Sequence, residues 1–175
     1  MSLRCTSSGN RRCPNQAIRN TRQVRISIAA DELTGVAVIL PVELGERGHD
    51  LRLHGALTEN EPGDWALSSA AAARDVIDGV ADQAIVCCWT GTGAAIAANK
   101  LPGVRAALCH DAVTAAGARR WNDANVLALS LRTTADAELA EILDAWFSTT
   151  PSEKAGDLAS IARLSALERG VSAAL

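Results

Sequence analysis

One stretch of the chain joins a nucleophilic sulfur to a backbone shaped to receive negative charge: Cys88-Trp-Thr-Gly-Thr-Gly93, running on through Ala94-Ala-Ile-Ala-Ala98 to Asn99 and Lys100. Gly91 and Gly93 let N–H groups approach a ligand closely, and a helix opening there turns its positive end toward an anionic oxygen. The positive end of a helix favours a thiolate over a thiol, and a thiolate can serve as a general base. The glycine spacing is neither the Walker A pattern nor a dinucleotide fingerprint, so a tight strand-to-helix turn beside a core cysteine explains it equally well when it is read alone. Cys87 and Cys88 are not read as a redox pair, because neighbouring residues on a strand point to opposite faces.

These residues need a scaffold, and the alternation of the sequence supplies one. Strand-like runs at Arg25–Ala30, His49–His54, Ala84–Cys88, Val104–Leu108 and Asn125–Leu129 alternate with helical stretches at Leu33–Arg47, Trp65–Val80, Ala94–Ala98, Ala112–Trp121, Ala135–Phe147 and Gly156–Glu168. Gly48 closes the first helix despite Pro41 within it, Asp64 is a natural N-cap for the second, and Trp65 and Trp146 are both expected in the core. Strict β-α alternation predicts a doubly wound α/β fold, a three-layer sandwich around five parallel strands, because parallel neighbours need crossovers.

In such sheets ligands bind beyond the carboxyl ends of the strands. Those ends carry Asp31 and Glu32, then His54, then Cys88 with Trp89 to Gly93, then Cys109-His110-Asp111, then Ser130-Leu-Arg132. One rim thereby collects acids, a thiol, two imidazoles and a guanidinium, while His49, at the start of its strand, belongs to the opposite rim. Arg105, Arg119 and Arg120 read as solvated side chains.

Composition sets the limits. The 175 residues carry 17 Lys plus Arg against 20 Asp plus Glu, with 48% hydrophobic and 3% aromatic residues. A net charge of −3 gives no general reason to bind nucleic acid or an anionic membrane surface. No run of apolar residues is long enough to span a bilayer, and the five cysteines lack metal-ligand spacing and are odd in number. Residues 1–24 hold five Arg and no acid, and read as a basic, disordered tail; residues 25–175 read as a single domain of a cytoplasmic protein.

Three blocks make the reading more specific: Cys88 to Lys100, Pro102-Gly-Val-Arg-Ala-Ala107, and Ala118-Arg-Arg-Trp-Asn-Asp-Ala-Asn-Val-Leu-Ala-Leu129. Together they resemble the ribose-5-phosphate isomerase B / galactose-6-phosphate isomerase family, with weaker matches at Ala30-Asp31, Gly48-His49 and Asp64-Trp65. The resemblance implies interconversion of aldose and ketose phosphates through an enediolate, with no metal and no cofactor. It implies that Cys88 is the base moving a proton between C2 and C1, that Thr90 helps open the sugar ring, and that Gly91, Thr92 and Gly93 form the enediolate-binding loop. Asp31 and Asn122 match substrate-binding positions, and Arg132 matches a phosphate contact. Trp89 replaces a small residue and could narrow the pocket or stack on a sugar face.

The sequence also departs from that family. Trp121 stands where ribose-phosphate members have the ring-opening His, Glu32 replaces the His of an Asp-His pair, and 156–160 holds none of the family's C-terminal phosphate-binding Arg. His54, Glu32 and His110 are candidates to replace the lost imidazole. The expected partners are a small sugar or sugar phosphate and further copies of the same chain, in a homodimer or homotetramer whose sites draw on two subunits. A module that binds a sugar phosphate or nucleotide without turning it over is the alternative.

Overall fold

The computed structural model describes residues 23–170. Five parallel strands, β1 (Arg25–Ala30), β2 (Asp50–Gly55), β3 (Gln83–Cys88), β4 (Ala106–Leu108) and β5 (Val126–Ser130), form one sheet in the order β2-β1-β3-β5-β4. Six helices connect and flank them: α1 (Val36–Glu46), α2 (Trp65–Ile77), α3 (Thr92–Ala98), α4 (Ala112–Asn122), α5 (Asp136–Ser148) and α6 (Ala155–Glu168). This is the doubly wound α/β sandwich that the alternation predicts. The basic segment 1–24 lies outside the described residues except for Gln23 and Val24.

Alternation along each strand divides the core in two. On one side Ile26, Ile28, Ile85, Cys87, Leu127 and Leu129 meet Leu40 and Leu44 of α1 and Leu139, Ile142, Leu143 and Trp146 of α5. On the other, Ala29, Val86, Cys88, Val126 and Ala128 meet the small residues Ala72, Ala73, Ala94 and Ala98 of α2 and α3. Small side chains bring these two helices close to the sheet, which is how α3 reaches the sulfur of Cys88. Trp146 is fully buried, as expected, and its indole donates to Gln83 Oε1 at 2.7 Å.

Element boundaries differ from the sequence reading where backbone geometry intervenes. The first helix starts at Val36 rather than Leu33 because Gly35, at φ 52°, packs against the Leu131 carbonyl too closely for any side chain. It continues through Pro41 and ends beside Gly48 at φ 81°. Asp64 caps α2 as expected, accepting from the N–H groups of Ala66 and Leu67.

Strand order decides where a crevice opens. From β1 the chain moves first to β2 on one side and then to β3 on the other, so their carboxyl ends flank the switch point at which ligands bind in such sheets. Ala30 is in register with Cys87, which sets Asp31 beside Cys88.

Candidate active site

Cys88 ends β3 on the α3 side of the sheet, only 5% exposed, and its Sγ accepts the N–H of Ala94 at 3.4 Å. The turn between them is tight. Gly91 sits in the left-handed region at φ 75°, its N–H bonded to the Cys88 carbonyl at 3.1 Å. A Cβ there would lie 2.5 Å from Leu108 Cδ1 and 2.9 Å from the Leu129 carbonyl carbon, so a side chain is excluded by both φ and space. Thr92 and Gly93 open α3, and the carbonyls four residues back, of Cys88 and Trp89, accept from Gly91, Leu131 and Arg132 instead of from their N–H groups. Two unclaimed amides therefore lie beside the thiol. Thr90 and Thr92 hydroxyls bond each other at 2.7 Å on the exposed side of the turn.

Asp31 directly follows β1, one residue beyond the Ala30–Cys87 register pair and so level with Cys88. Its Oδ1 is buried without a hydrogen-bond partner, and its carboxyl is held above the ordinary value, first by burial and then by the charges of Glu32 and Asp64. Glu32 beside it is exposed. On the other side, the segment after β5 prolongs the pairing with β3: Leu131 N–H donates to the Cys88 carbonyl at 3.0 Å, and Arg132 N–H to the Trp89 carbonyl at 3.1 Å. That carbonyl also accepts from Ser130 Oγ at 2.9 Å. Arg132 is in this way fixed next to Trp89, with its side chain exposed. This end of the sheet thus carries a thiol, a half-buried acid, unclaimed amides and an arginine, the groups needed to take a proton from carbon and hold the charge that results.

The Ribose/Galactose Isomerase profile matches residues 26–164, the whole span from β1 through most of α6. The chain belongs to that family. It is similar to ribose-5-phosphate isomerase B of Escherichia coli, 39% identical over 104 residues that make up 59% of this chain and 68% of that protein. It is also similar to D-erythrulose-4-phosphate isomerase of Pectobacterium atrosepticum, 43% identical over 74 residues, 42% of this chain. The chain spans about half the length of two of the curated relatives it matches, 52% of one from Bacillus subtilis and 49% of the Pectobacterium protein. Among solved structures, ribose-5-phosphate isomerase B of Clostridium thermocellum superposes with a TM-score of 0.76 at 30% identity, covering 85% of this chain and 99% of that one. The Mycoplasma genitalium enzyme with bound ribulose-5-phosphate superposes at 0.73 and 30% identity, covering 83% of this chain and 96% of that one.

Not every residue carried over from the ribose/galactose isomerase resemblance meets at this crevice. Asn122 and Trp121 end α4 at the amino rim of the sheet, where the adjacent Asp123 pairs with Arg105 at 2.8 Å. His54 is buried inside β2 rather than open at the rim. Its two ring nitrogens are engaged by Asp75 and Glu61, so it does not face Cys88 as a free proton donor. His49 is at the amino rim as expected, its Nδ1 accepting from Val24 N–H and its ring 4.5 Å from that of Phe147. Arg119 corrects the reading of solvated arginines, for its guanidinium lies over the Trp146 ring and donates to the Ala124 carbonyl.

Trp65 corrects the expectation of a core tryptophan. It is 45% exposed, and its ring lies against Gly93, where a Cβ would come within 2.9 Å of Cε3. The sign was present in the sequence, since a residue just after the N-cap of a helix that follows a parallel strand stands at the carboxyl rim. With Trp89, 53% exposed, it leaves two open indoles at this rim of the sheet. Among the described residues no group of three or more His, Cys, Asp or Glu is placed to hold a metal ion, and no helix is long and apolar enough to cross a membrane.

Proposed function

We propose that this chain is an aldose–ketose isomerase acting on a phosphorylated sugar of four to six carbons. The observation that carries the reading is the Ala94 N–H on Cys88 Sγ at 3.4 Å, beside the unclaimed amides of Thr92 and Gly93. In the open-chain aldose, the Cys88 thiolate removes the proton on C2. The electron pair moves toward the C1 carbonyl and gives an enediolate, whose negative oxygen is held by the two amides. One proton passes from O2 to O1, a transfer we assign to the half-buried Asp31 carboxyl. Cys88 then returns its proton to C1, giving the ketose, with no net oxidation and no group lost. Thr90 assists ring opening, Glu32 and Trp89 line the sugar, and Arg132 receives the phosphate.

Asn122 would enter the site from a second copy of the chain, because its own α4 carries it away from Cys88. A homodimer is therefore the smallest active unit in this reading.

Incubation in D₂O with a panel of four-, five- and six-carbon sugars and their phosphates, followed by NMR, tests it. Deuterium entering C1 or C2 of one substrate, and none with Cys88→Ala, is the expected result; exchange that survives in the variant would sink the role of Cys88. The binding-module reading is favoured by Trp121 in the His position and by the lack of basic residues at 156–160. It predicts saturable binding of a sugar phosphate without deuterium uptake.

A further inference from the structure

Behind the rim, on the α2 side of β2, lies a polar cluster that the chemistry at Cys88 does not use. Asp75 of α2 is buried, and its Oδ2 receives Ser27 Oγ of β1 at 2.8 Å, His54 Nε2 of β2 at 2.7 Å and Arg52 Nε of β2 at 3.1 Å. The other ring nitrogen of His54 faces both carboxylate oxygens of Glu61, at 3.2 and 3.1 Å, and Glu61 Oε2 also accepts the Gly55 N–H at 2.9 Å. Both ring nitrogens of His54 are thereby engaged, one by Asp75 and the other by Glu61. Ser27, His54 and Asp75 are buried while Arg52 and Glu61 close the cluster from the solvent side, and a hydrogen-bonded network anchored in this way holds its members in one geometry.

Four of the five side chains stand on β1, β2 and α2, and the fifth, Glu61, belongs to the loop 56–64 that joins β2 to α2. That loop touches the crevice twice. Gly63 lies on the Asp31 carbonyl too closely for any side chain, and Asp64 then caps α2 so that Trp65 rests on Gly93. The hold on Glu61 therefore reaches the backbone of Asp31 and the amide turn beside the thiol.

We infer that Glu61 is a positioning residue of this site: His54, anchored by Asp75, pins Glu61, and Glu61 holds the 56–64 loop over Asp31 with Trp65 against Gly93. His54 acts through this clamp and not on a substrate. The inference rests on the isomerase reading for what the crevice holds, whereas the clamp is a property of the fold.

Hydrogen-exchange mass spectrometry on the full chain, with steady-state isomerisation of the substrate found in the D₂O panel, tests it on wild type, Glu61→Ala and Glu61→Gln. In Glu61→Ala, exchange across residues 56–65 speeds up about tenfold while β3, β5 and α5 keep their protection. The KM rises about tenfold with kcat changed less than about threefold, the mark of lost ground-state placement. Glu61→Gln keeps an acceptor for Gly55 and His54, and brings both readouts most of the way back. The inference is overturned if Glu61→Ala leaves exchange and KM as in wild type, if faster exchange spreads through α2 and the sheet with a fall in Tm, or if Gln behaves as Ala does. Should wild type turn over no sugar while local exchange and its rescue by Gln follow expectation, the isomerase reading fails and the clamp stands as what orders the loop.

Discussion

Cys88 and Asn122 of one chain lie at opposite rims of the sheet. Cys88 is in register with Ser130 at the carboxyl end of β5, whereas Asn122 closes α4 just before β5 begins at Val126. Eleven helical residues separate the ends of α4, roughly 16 Å at 1.5 Å per residue. One copy cannot bring both side chains to one sugar.

A complementation experiment follows. Cys88→Ala and Asn122→Ala are each expected to be nearly inactive as separate preparations. If the active unit is the proposed two-fold dimer, mixing, partly unfolding and refolding them together is expected to give heterodimers with one intact site and to return activity to roughly a quarter of wild type for random pairing. Activity that stays at the level of the separate variants would show that the two residues do not share a site across subunits.

Cys88 differs from its neighbours in surroundings. Burial pushes the thiols of Cys87 and Cys109 up to about 12, aided by nearby acids, so both stay protonated near neutral pH. Brief iodoacetamide treatment of the native protein is expected to modify Cys88 ahead of both, as read by peptide mass spectrometry. The Cys88→Ala variant should lose kcat/KM by roughly 10²–10⁴-fold, the range of a general base. Earlier labelling of Cys87 or Cys109 would contradict this ordering.

Asp31 carries a stability cost tied to its place in the crevice. Its folded value is raised above the unfolded one, so the native state holds the proton more tightly, and stability falls as pH rises through the window between the two. Asp31→Asn is therefore expected to have a higher Tm than wild type at pH 7, with the gap closing as pH drops below the ordinary carboxylate value. Activity falls in the same variant. Calorimetric scans at several pH values decide it, and a Tm gap that does not change with pH refutes the burial account.

The two glycines of the turn should respond differently to alanine. At Gly91 the left-handed φ and the Leu129 backbone leave no room, so Gly91→Ala costs about 1–3 kcal/mol. Gly93 has no positive φ and meets the Trp65 ring, a side chain able to shift. Gly93→Ala should unfold less readily than Gly91→Ala yet still lose activity, because the indole and the amides move apart. Urea titrations beside isomerase assays compare the two, and equal losses of stability would argue against this difference.

Much of the fold was legible because local rules and the global fold agree. Runs of β-branched and apolar residues alternate with Ala-rich stretches, Asp64 caps where Asp should, and Gly48 stops a helix where φ must be positive. Boundaries slipped at Gly35, whose role depends on a carbonyl of Leu131, almost a hundred residues away in the chain. Periodicity carries no such information.

For the site, the sequence by itself determined the thiol, the glycine turn and the rim to which they belong, since a parallel strand followed by a helix dictates all three. Only the tertiary structure decided which strand ends are neighbours, through the order β2-β1-β3-β5-β4 that sets Asp31 against Cys88. It alone turned Trp65 outward onto Gly93, drew His54 inward between Asp75 and Glu61, and carried Asn122 to the far rim. The physical reason is that chemistry and local conformation are written in residue types and short spacings. Which side chain finds a partner, and on which side of the sheet, depends on contacts between segments far apart in the chain.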